Sequence, residues 1–240
     1  MAVAFKTTRA GVSYEVRTAG QTVRLYTNGA FHSQYNPRHL FTGAVWDLLS
    51  LPSLSTDRAV QDALVLGVGG GTVIHQLDAL QDIQRVIGIE LDPVHLQIAK
   101  RHFALSYRHT ELTIADARDW MSRQTEQFDY IVDDVYLHGE TDPERPFFPD
   151  RQWCDLLRRH LKPGGAVVQN HIDSAHARDV KQCFDRLFDR VLVYSNTLYS
   201  NTVLAGFCTS ASKAELKRRC AQKLNRLPRG ATGRLRHRIS

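Results

Sequence analysis

Cysteine is scarce, and no long apolar run is present. Four cysteines occur in 240 residues, Cys154, Cys183, Cys208 and Cys220. None form a C-x-x-C pair, so the expectation is reduced, structural thiols rather than a disulfide framework. No apolar stretch reaches the roughly 18 residues of a membrane span. The opening MAVAFKTTRA lacks the apolar core of a signal peptide. A cytoplasmic protein with no membrane contact is therefore expected. Eleven histidines are present, but His171 and His176 are off one helical face and no cysteine or acid joins them at ligand spacing, so no metal is expected. There is no internal repeat and no low-complexity block.

The body also lacks positive charge. The chain carries +6 overall, yet residues 211–240 hold ten Lys or Arg against one acid, Glu215. That segment is +9, so the first 210 residues sit at about −3. A basic C-terminal helix and tail of this kind is a solvated terminus or a surface for nucleic acid or an acidic partner. No aromatic residue follows Phe207, which disfavours stacking on single strands. The 42% hydrophobic and 23% charged residues are ordinary for a globular chain. The length suits one α/β domain with a small appendage.

Periodicity divides the chain at about residues 37 and 210. Residues 12–35 alternate apolar and polar, with turn signals at Ala19-Gly20 and Asn28-Gly29, and predict a small antiparallel unit of three strands. Over 38–50 the period becomes helical, through Leu40, Phe41, Ala44, Val45, Leu48 and Leu49. From residue 62, strand-like runs at 63–67, 85–90, 111–115, 128–133, 165–170, 190–194 and 202–208 alternate with helical patterns at 73–80, 93–103, 117–124, 150–161 and 175–187. Such alternation predicts a Rossmann-like α/β domain with a largely parallel sheet. The last two runs are too close for a helical crossover, so the final strand should be antiparallel. Seven strands ending in such a hairpin make a methyltransferase-type sheet.

Four motifs follow strand ends. Ala63-Leu64-Val65-Leu66-Gly67-Val68-Gly69-Gly70-Gly71-Thr72 is a buried strand, a glycine loop and a helix start, where backbone can approach a ligand and helix N–H groups face it. An NAD-type G-x-G-x-x-G would need glycine where Thr72 stands. Glu90 ends the next strand, in Gly88-Ile89-Glu90-Leu91-Asp92, where an acid can accept hydrogen bonds from ribose hydroxyls. Asp116, in Ala115-Asp116-Ala117, can accept from an adenine amino group. Tyr130-Ile131-Val132-Asp133-Asp134-Val135-Tyr136 ends the fourth strand. Ligands in open α/β sheets bind beyond these carboxyl ends, so the acids converge on one crevice.

The order LGVGGGT, GIELD, ADA, FDYIVDD and LKPGGAVVQNH resembles the spermidine synthase group of aminopropyltransferases and their relatives among class I S-adenosylmethionine-dependent methyltransferases. The resemblance spans roughly residues 12–210. It implies an S-adenosylmethionine-type cofactor, intact or decarboxylated, cradled by Gly67, Gly69, Gly70 and Gly71. Glu90 with Leu91 would hold the ribose and Asp116 with Ala117 the adenine. Asp133 would touch the cofactor and take the amine proton, with Tyr136 and His138 as further catalytic candidates. His32, Gln34 and Asp134 would contact a small-molecule acceptor. The group also implies a homodimer.

Departures from that group suggest a changed reaction. Its GGGDGG loop aspartate is Gly70 here, Tyr136 stands at an aspartate position of the run after the fourth strand, Phe41 replaces a tyrosine and His32 a glutamine. Without the loop acid, the carboxylate of intact S-adenosylmethionine could be met by backbone N–H groups. Methyl transfer to a small, amine-like acceptor is the leading expectation. Aminopropyl transfer from the decarboxylated donor is the alternative, and non-catalytic nucleotide or nucleic-acid binding the third. The stretch 133–150 reads as an acidic, aromatic lid suited to a cationic amine, or as a solvated charged loop.

Overall fold

Strand alternation separates the chain into two sheets. The computed structural model describes residues 1–137, 143–228 and 231–240. The first sheet is antiparallel, in the order β1 (Ala2–Arg9), β2 (Val12–Ala19), β3 (Thr22–Thr27) and β4 (Ala30–Tyr35). The expected three strands are thus four. β1 carries Lys6, Thr7, Thr8 and Arg9 and shows no apolar alternation; it is an exposed edge strand paired with β2. The Asn28-Gly29 hairpin has φ of 49° and 84°, as a two-residue primed turn requires.

The second sheet holds β5 (Asp62–Leu66), β6 (Arg85–Glu90), β7 (Thr110–Ile114), β8 (Phe128–Asp133), β9 (Leu161–His171), β10 (Arg190–Ser195), β11 (Thr202–Phe207) and β12 (Arg238–Ile239). Their order is β12-β10-β11-β9-β8-β5-β6-β7. Strands β5 to β9 run parallel, and β11 lies antiparallel between β9 and β10. All seven expected strands are present, and β12 adds a short eighth at the edge.

Seven helices accompany the sheets among the described residues: α1 (Val45–Ser50), α2 (Thr72–Leu80), α3 (Pro93–His102), α4 (Ala117–Ser122), α5 (Arg151–Arg159), α6 (Ser174–Leu187) and α7 (Lys213–Leu224). The helix expected over 38–50 contracts to α1, followed by a 3₁₀ turn at Leu51–Ser55. The buried Asp47 carboxylate accepts from the Thr42 and Gly43 N–H groups, and Gly43 has φ 79°, which holds the preceding segment out of the helix.

The period of two assigns strand side chains to opposite layers. Ala63, Val65, Tyr130, Val132 and Val168 face a layer built from α1, α2 and α7. Leu64, Leu66, Ile131 and Val167 face the other, with Trp153 and Leu157 of α5 and Val180 and Phe184 of α6. The antiparallel sheet packs Tyr14, Val16 and Leu25 against Ile98 of α3 and Phe103. All four cysteines are unpaired, and three are buried. No helix among the described residues is long and apolar enough to cross a membrane.

The basic C-terminal segment is folded onto the body. Leu216 and Cys220 of α7 are buried, Ser55 Oγ donates to the Leu216 carbonyl, and Ile239 pairs with Tyr194. Leu227, Leu235 and Ile239 pack against the core. Its charge is thus carried on a structural element rather than on a loose terminus. Deleting residues 225–240 should remove about 2 kcal/mol or more of apolar burial and lower Tm by roughly 4–8 °C, read by thermal unfolding. An unchanged Tm would make this segment an appendage.

Candidate active site

A cavity of about 300 Å³ opens above the carboxyl ends of β5, β6, β8 and β9. The glycine loop forms one wall. Its shape is fixed from two sides. Glu90, at the end of β6, accepts from the Val68 and Gly69 N–H groups at 3.0 and 2.9 Å. From the other side, Ser33 of β4 accepts from the Gly70 N–H at 2.7 Å, and Thr72 donates to the Gln34 carbonyl. A Cβ on Gly67, whose φ is 84°, would overlap the Asp134 carbonyl oxygen, so only glycine lets the β8 end lie against the loop.

Glu90 is 8% exposed and lines the cavity. Burial alone would push its carboxyl up. His95, 3.8 Å away, and the N–H groups of Asp92 and Gly69 outweigh burial and hold it below the usual value. His95 in turn bonds Thr27 of β3 at 2.9 Å. A smaller pocket of about 40 Å³ shares Gly67, Glu90 and Tyr136 with the main cavity and adds Leu91, Asp116 and Ala117. Asp116 is exposed and caps α4, accepting from the Arg118 and Asp119 N–H groups. The expected ribose and adenine residues therefore stand together along one groove.

The two neighbouring aspartates part company. Asp133 has the parity of Ile131 and turns into the α5 layer. It is 0% exposed, paired with Arg145, and accepts from Trp153 Nε1 at 2.7 Å and Gln169 Nε2 at 2.5 Å. Burial would raise it, but Arg145 and these bonds hold it below the ordinary value. Its oxygens are spent inside the protein, which corrects the expectation that Asp133 faces cofactor and amine. Asp134 has the parity of Val132 and faces the cavity, where Asn170 Nδ2 donates to it at 2.8 Å. Burial, opposed by the Asn170 bond and Arg145 and reinforced by Asp133 and Glu90, pushes it to about 6.

The remaining expected residues divide. Tyr136 lines the cavity, but its hydroxyl donates to the Asn170 carbonyl at 2.9 Å and accepts from the Ile172 N–H, and burial first among the causes pushes it up to about 12. It is a wall and not a base. His32 lines the cavity. Gln34 does not: it is 4% exposed and bonds Arg24 Nε and the Thr42 carbonyl. Gly70 and Gly71 also turn away, because Cβ atoms there would meet Ser33 and Phe103, or Leu105. The Gly70 N–H belongs to Ser33, so it cannot meet a donor carboxylate as expected. His138 lies outside the described residues.

Sequence reading missed Phe31, Trp46, Asn170, Tyr199 and Asn201, all lining the cavity. Asn170 left a signal, since Gln169-Asn170 interrupts an apolar strand at its carboxyl end. Tyr199 and Asn201 sit in the β10–β11 connection, which has no periodicity. No Lys or Arg stands among the described lining residues, and among the described residues no cluster of His, Cys, Asp and Glu could hold a metal ion. The cavity's fixed charge is therefore negative and suits cationic ligands.

Comparison with known proteins agrees with this geometry. A profile described as "Methyltransferase domain" matches residues 63–165. Polyamine aminopropyltransferase 2 of Pseudomonas aeruginosa is 22% identical over 236 residues, covering 90% of this chain and 66% of that one. The chain spans two thirds or less of the length of the curated relatives it matches first. A crystal structure of a probable spermidine synthase from Corynebacterium glutamicum superposes with a TM-score of 0.76 at 18% identity, over 100% of this chain and 91% of that chain. Human methyltransferase-like protein 13 in complex with SAH superposes at 0.61 with 22% identity, over 76% of this chain and 89% of that one. The fold is that of the class I S-adenosylmethionine-dependent methyltransferases. Within that fold the chain is similar to spermidine synthases and polyamine aminopropyltransferases.

Gly67→Ala tests the wall shared by loop and strand. The left-handed backbone alone costs about 1–2 kcal/mol for a residue with a Cβ, and the overlap with Asp134 adds to it. Affinity for methylthioadenosine, measured by calorimetry, should fall more than about tenfold, some 1.4 kcal/mol. Binding at the native level would mean that the loop does not contact the nucleoside.

Proposed function

We propose that this protein transfers an alkyl group from an S-adenosylmethionine-type sulfonium to an amine, with aminopropyl transfer from the decarboxylated donor as the leading reaction. The single observation that carries it is Asp134, a partly buried carboxyl raised to about 6 in a cavity that also holds Glu90 and has no lining Lys or Arg among the described residues. The expectation of methyl transfer gives way, because relatives that cover 90% and 70% of this chain are named aminopropyltransferases.

The residues present fit such a donor. In this reading Glu90 would accept from ribose hydroxyls, Leu91, Asp116 and Ala117 would border adenine, and Gly67 and Gly69 would admit close backbone approach; all line the two pockets. When bound, the donor supplies an electrophilic carbon on sulfur and a neutral thioether as leaving group. The chain supplies alignment and a proton acceptor. Asp134 accepts the proton that the amine must lose, the Asn170 side chain orients its carboxylate, and Phe31, Trp46 and Tyr199 exclude water from the acceptor side.

One observation favours methyl transfer as a second reading. A Cβ at Gly70 would lie 2.7 Å from Ser33 Cβ and 2.8 Å from Phe103 Cε1. No acid can stand there in this packing, so the loop has no carboxylate to repel that of the intact donor. Incubating each donor with a panel of amines separates the readings. Methylthioadenosine release at least tenfold faster than S-adenosylhomocysteine release supports aminopropyl transfer, and the reverse supports methyl transfer. Release of neither sinks both.

Asp134→Asn should lower kcat by about 10²–10⁴ with donor affinity nearly intact. In the native protein kcat/KM should rise through about pH 6, as Asp134 loses its proton, and that limb should vanish in the variant. The stability sign is opposite. A carboxyl raised from 3.8 to about 6 costs folding stability once ionised, so the variant should be the more stable at pH 7–8. The gain should shrink as pH falls through about 6 and vanish below about 3.8, where both states hold the proton. A pH-independent difference in Tm would contradict the assignment.

A further inference from the structure

Arg145 is a buried cation that the chemistry above does not use. Its side chain is 11% exposed, it pairs with the fully buried Asp133, and Nη1 lies 3.5 Å from the Asn170 carbonyl. Its guanidinium carbon sits 5.5 Å from the Tyr136 ring and 5.6 Å from the Phe147 ring. Burying such a charge is costly unless it is paired, and the pair is then hard to break from one side. The segment carrying it is tied down at the same place. Leu137 and Glu144 exchange two backbone hydrogen bonds of 2.7 and 3.0 Å, and Tyr136 bonds the same Asn170 carbonyl. Tyr136 and Pro143, on either side of residues 138–142, both line the cavity.

We propose that Arg145 is a positioning residue for the proton acceptor: paired with Asp133, it fastens the cavity wall at Tyr136 and Pro143 to the ends of β8 and β9 and supplies the positive charge beside Asp134. This rests on the reading of Asp134 given under Proposed function. Asp134 has few charges around it. Asp133 precedes it, Glu90 faces it from β6, and His32 and His95 line the same cavity. Of these and Arg145, only Arg145 is permanently cationic. Its charge opposes the burial and the two acids that raise Asp134. Arg145 also neutralises Asp133, so its loss removes one positive charge and uncovers one negative charge.

The test compares Arg145→Gln, Arg145→Lys and the double variant Asp133→Asn/Arg145→Gln in the full chain. The readouts are kcat/KM against pH, methylthioadenosine affinity and Tm. Arg145→Gln should move the acidic limb up by about one pH unit, a tenfold loss of kcat/KM below the limb. Arg145→Lys should hold the limb in place. The double variant, which replaces a neutral ion pair by two amides, should return the limb most of the way, with nucleoside affinity within about threefold of native. If Arg145→Gln does not fold, Asp133→Asn takes its place: with the Arg145 charge kept and its partner neutralised, its limb should lie below that of the double variant, and equal limbs overturn the proposal. A limb unmoved in Arg145→Gln, or equally displaced in the double and single variants, overturns the proposal. A limb that persists in Asp134→Asn overturns the reading of Asp134 itself.

Discussion

The period of two along β8 and β9 is the constraint on which the site depends. In a strand buried on both sides, successive side chains must enter different layers. Ile131 and Val167 are committed to the α5–α6 layer by packing, so Asp133 and Gln169 follow them and meet there. Val132 and Val168 are committed to the opposite layer, so Asp134 and Asn170 follow those and meet in the cavity. The parallel register sets Asp133 opposite Gln169, which aligns both amide–carboxylate pairs without any further device. The apolar core thus decides which aspartate faces the cavity and which is buried in the α5–α6 layer.

A second constraint acts on the glycine loop. Strand β6 ends in a carboxylate that takes the loop's N–H groups, and β4 of the small sheet brings Ser33 to the loop's far side. Three separate parts of the chain therefore agree on one loop conformation before any ligand enters, which lowers the ordering cost of binding. The antiparallel sheet is part of this, because β3 also reaches His95 through Thr27, and Tyr14 of β2 bonds Asp92 at the start of α3. Removing that sheet would leave Glu90 and the loop without their outer supports.

The parallel sheet, its antiparallel last strand and the Glu90 groove were legible in the sequence because each rests on local pattern: apolar runs, glycine after a strand, an acid at a strand end. The acids at 133 and 134 were legible as a pair and not as individuals. Their assignment needed the strand parity to be carried through from Ile131, whose layer is known only once α5 is in place. Gly70 misled for a related reason. Aligned as a missing acid, it suggested a freed N–H, but Ser33 is far away in sequence and takes that N–H in the fold. Strand β1, without apolar alternation, and the docking of the basic segment through Leu216, Cys220 and Ile239 were hidden by composition. In both, a few contacts outweigh a polar majority.

The two cavity acids have been pushed apart by their surroundings. Burial would raise the Glu90 carboxyl, but His95 and the backbone N–H groups of Asp92 and Gly69 hold it below its ordinary value. Asp134 is raised to about 6 because burial, Asp133 and Glu90 outweigh the Asn170 bond and the Arg145 charge. The proposed reaction brings a sulfonium together with an amine that arrives as an ammonium, and a fixed anion would lower that cost at the nucleoside end. The other end requires a group that is anionic when the amine arrives and can hold a proton when the new bond forms. One carboxylate cannot meet both requirements, and the division of labour follows from which backbone amides and which neighbours each one faces.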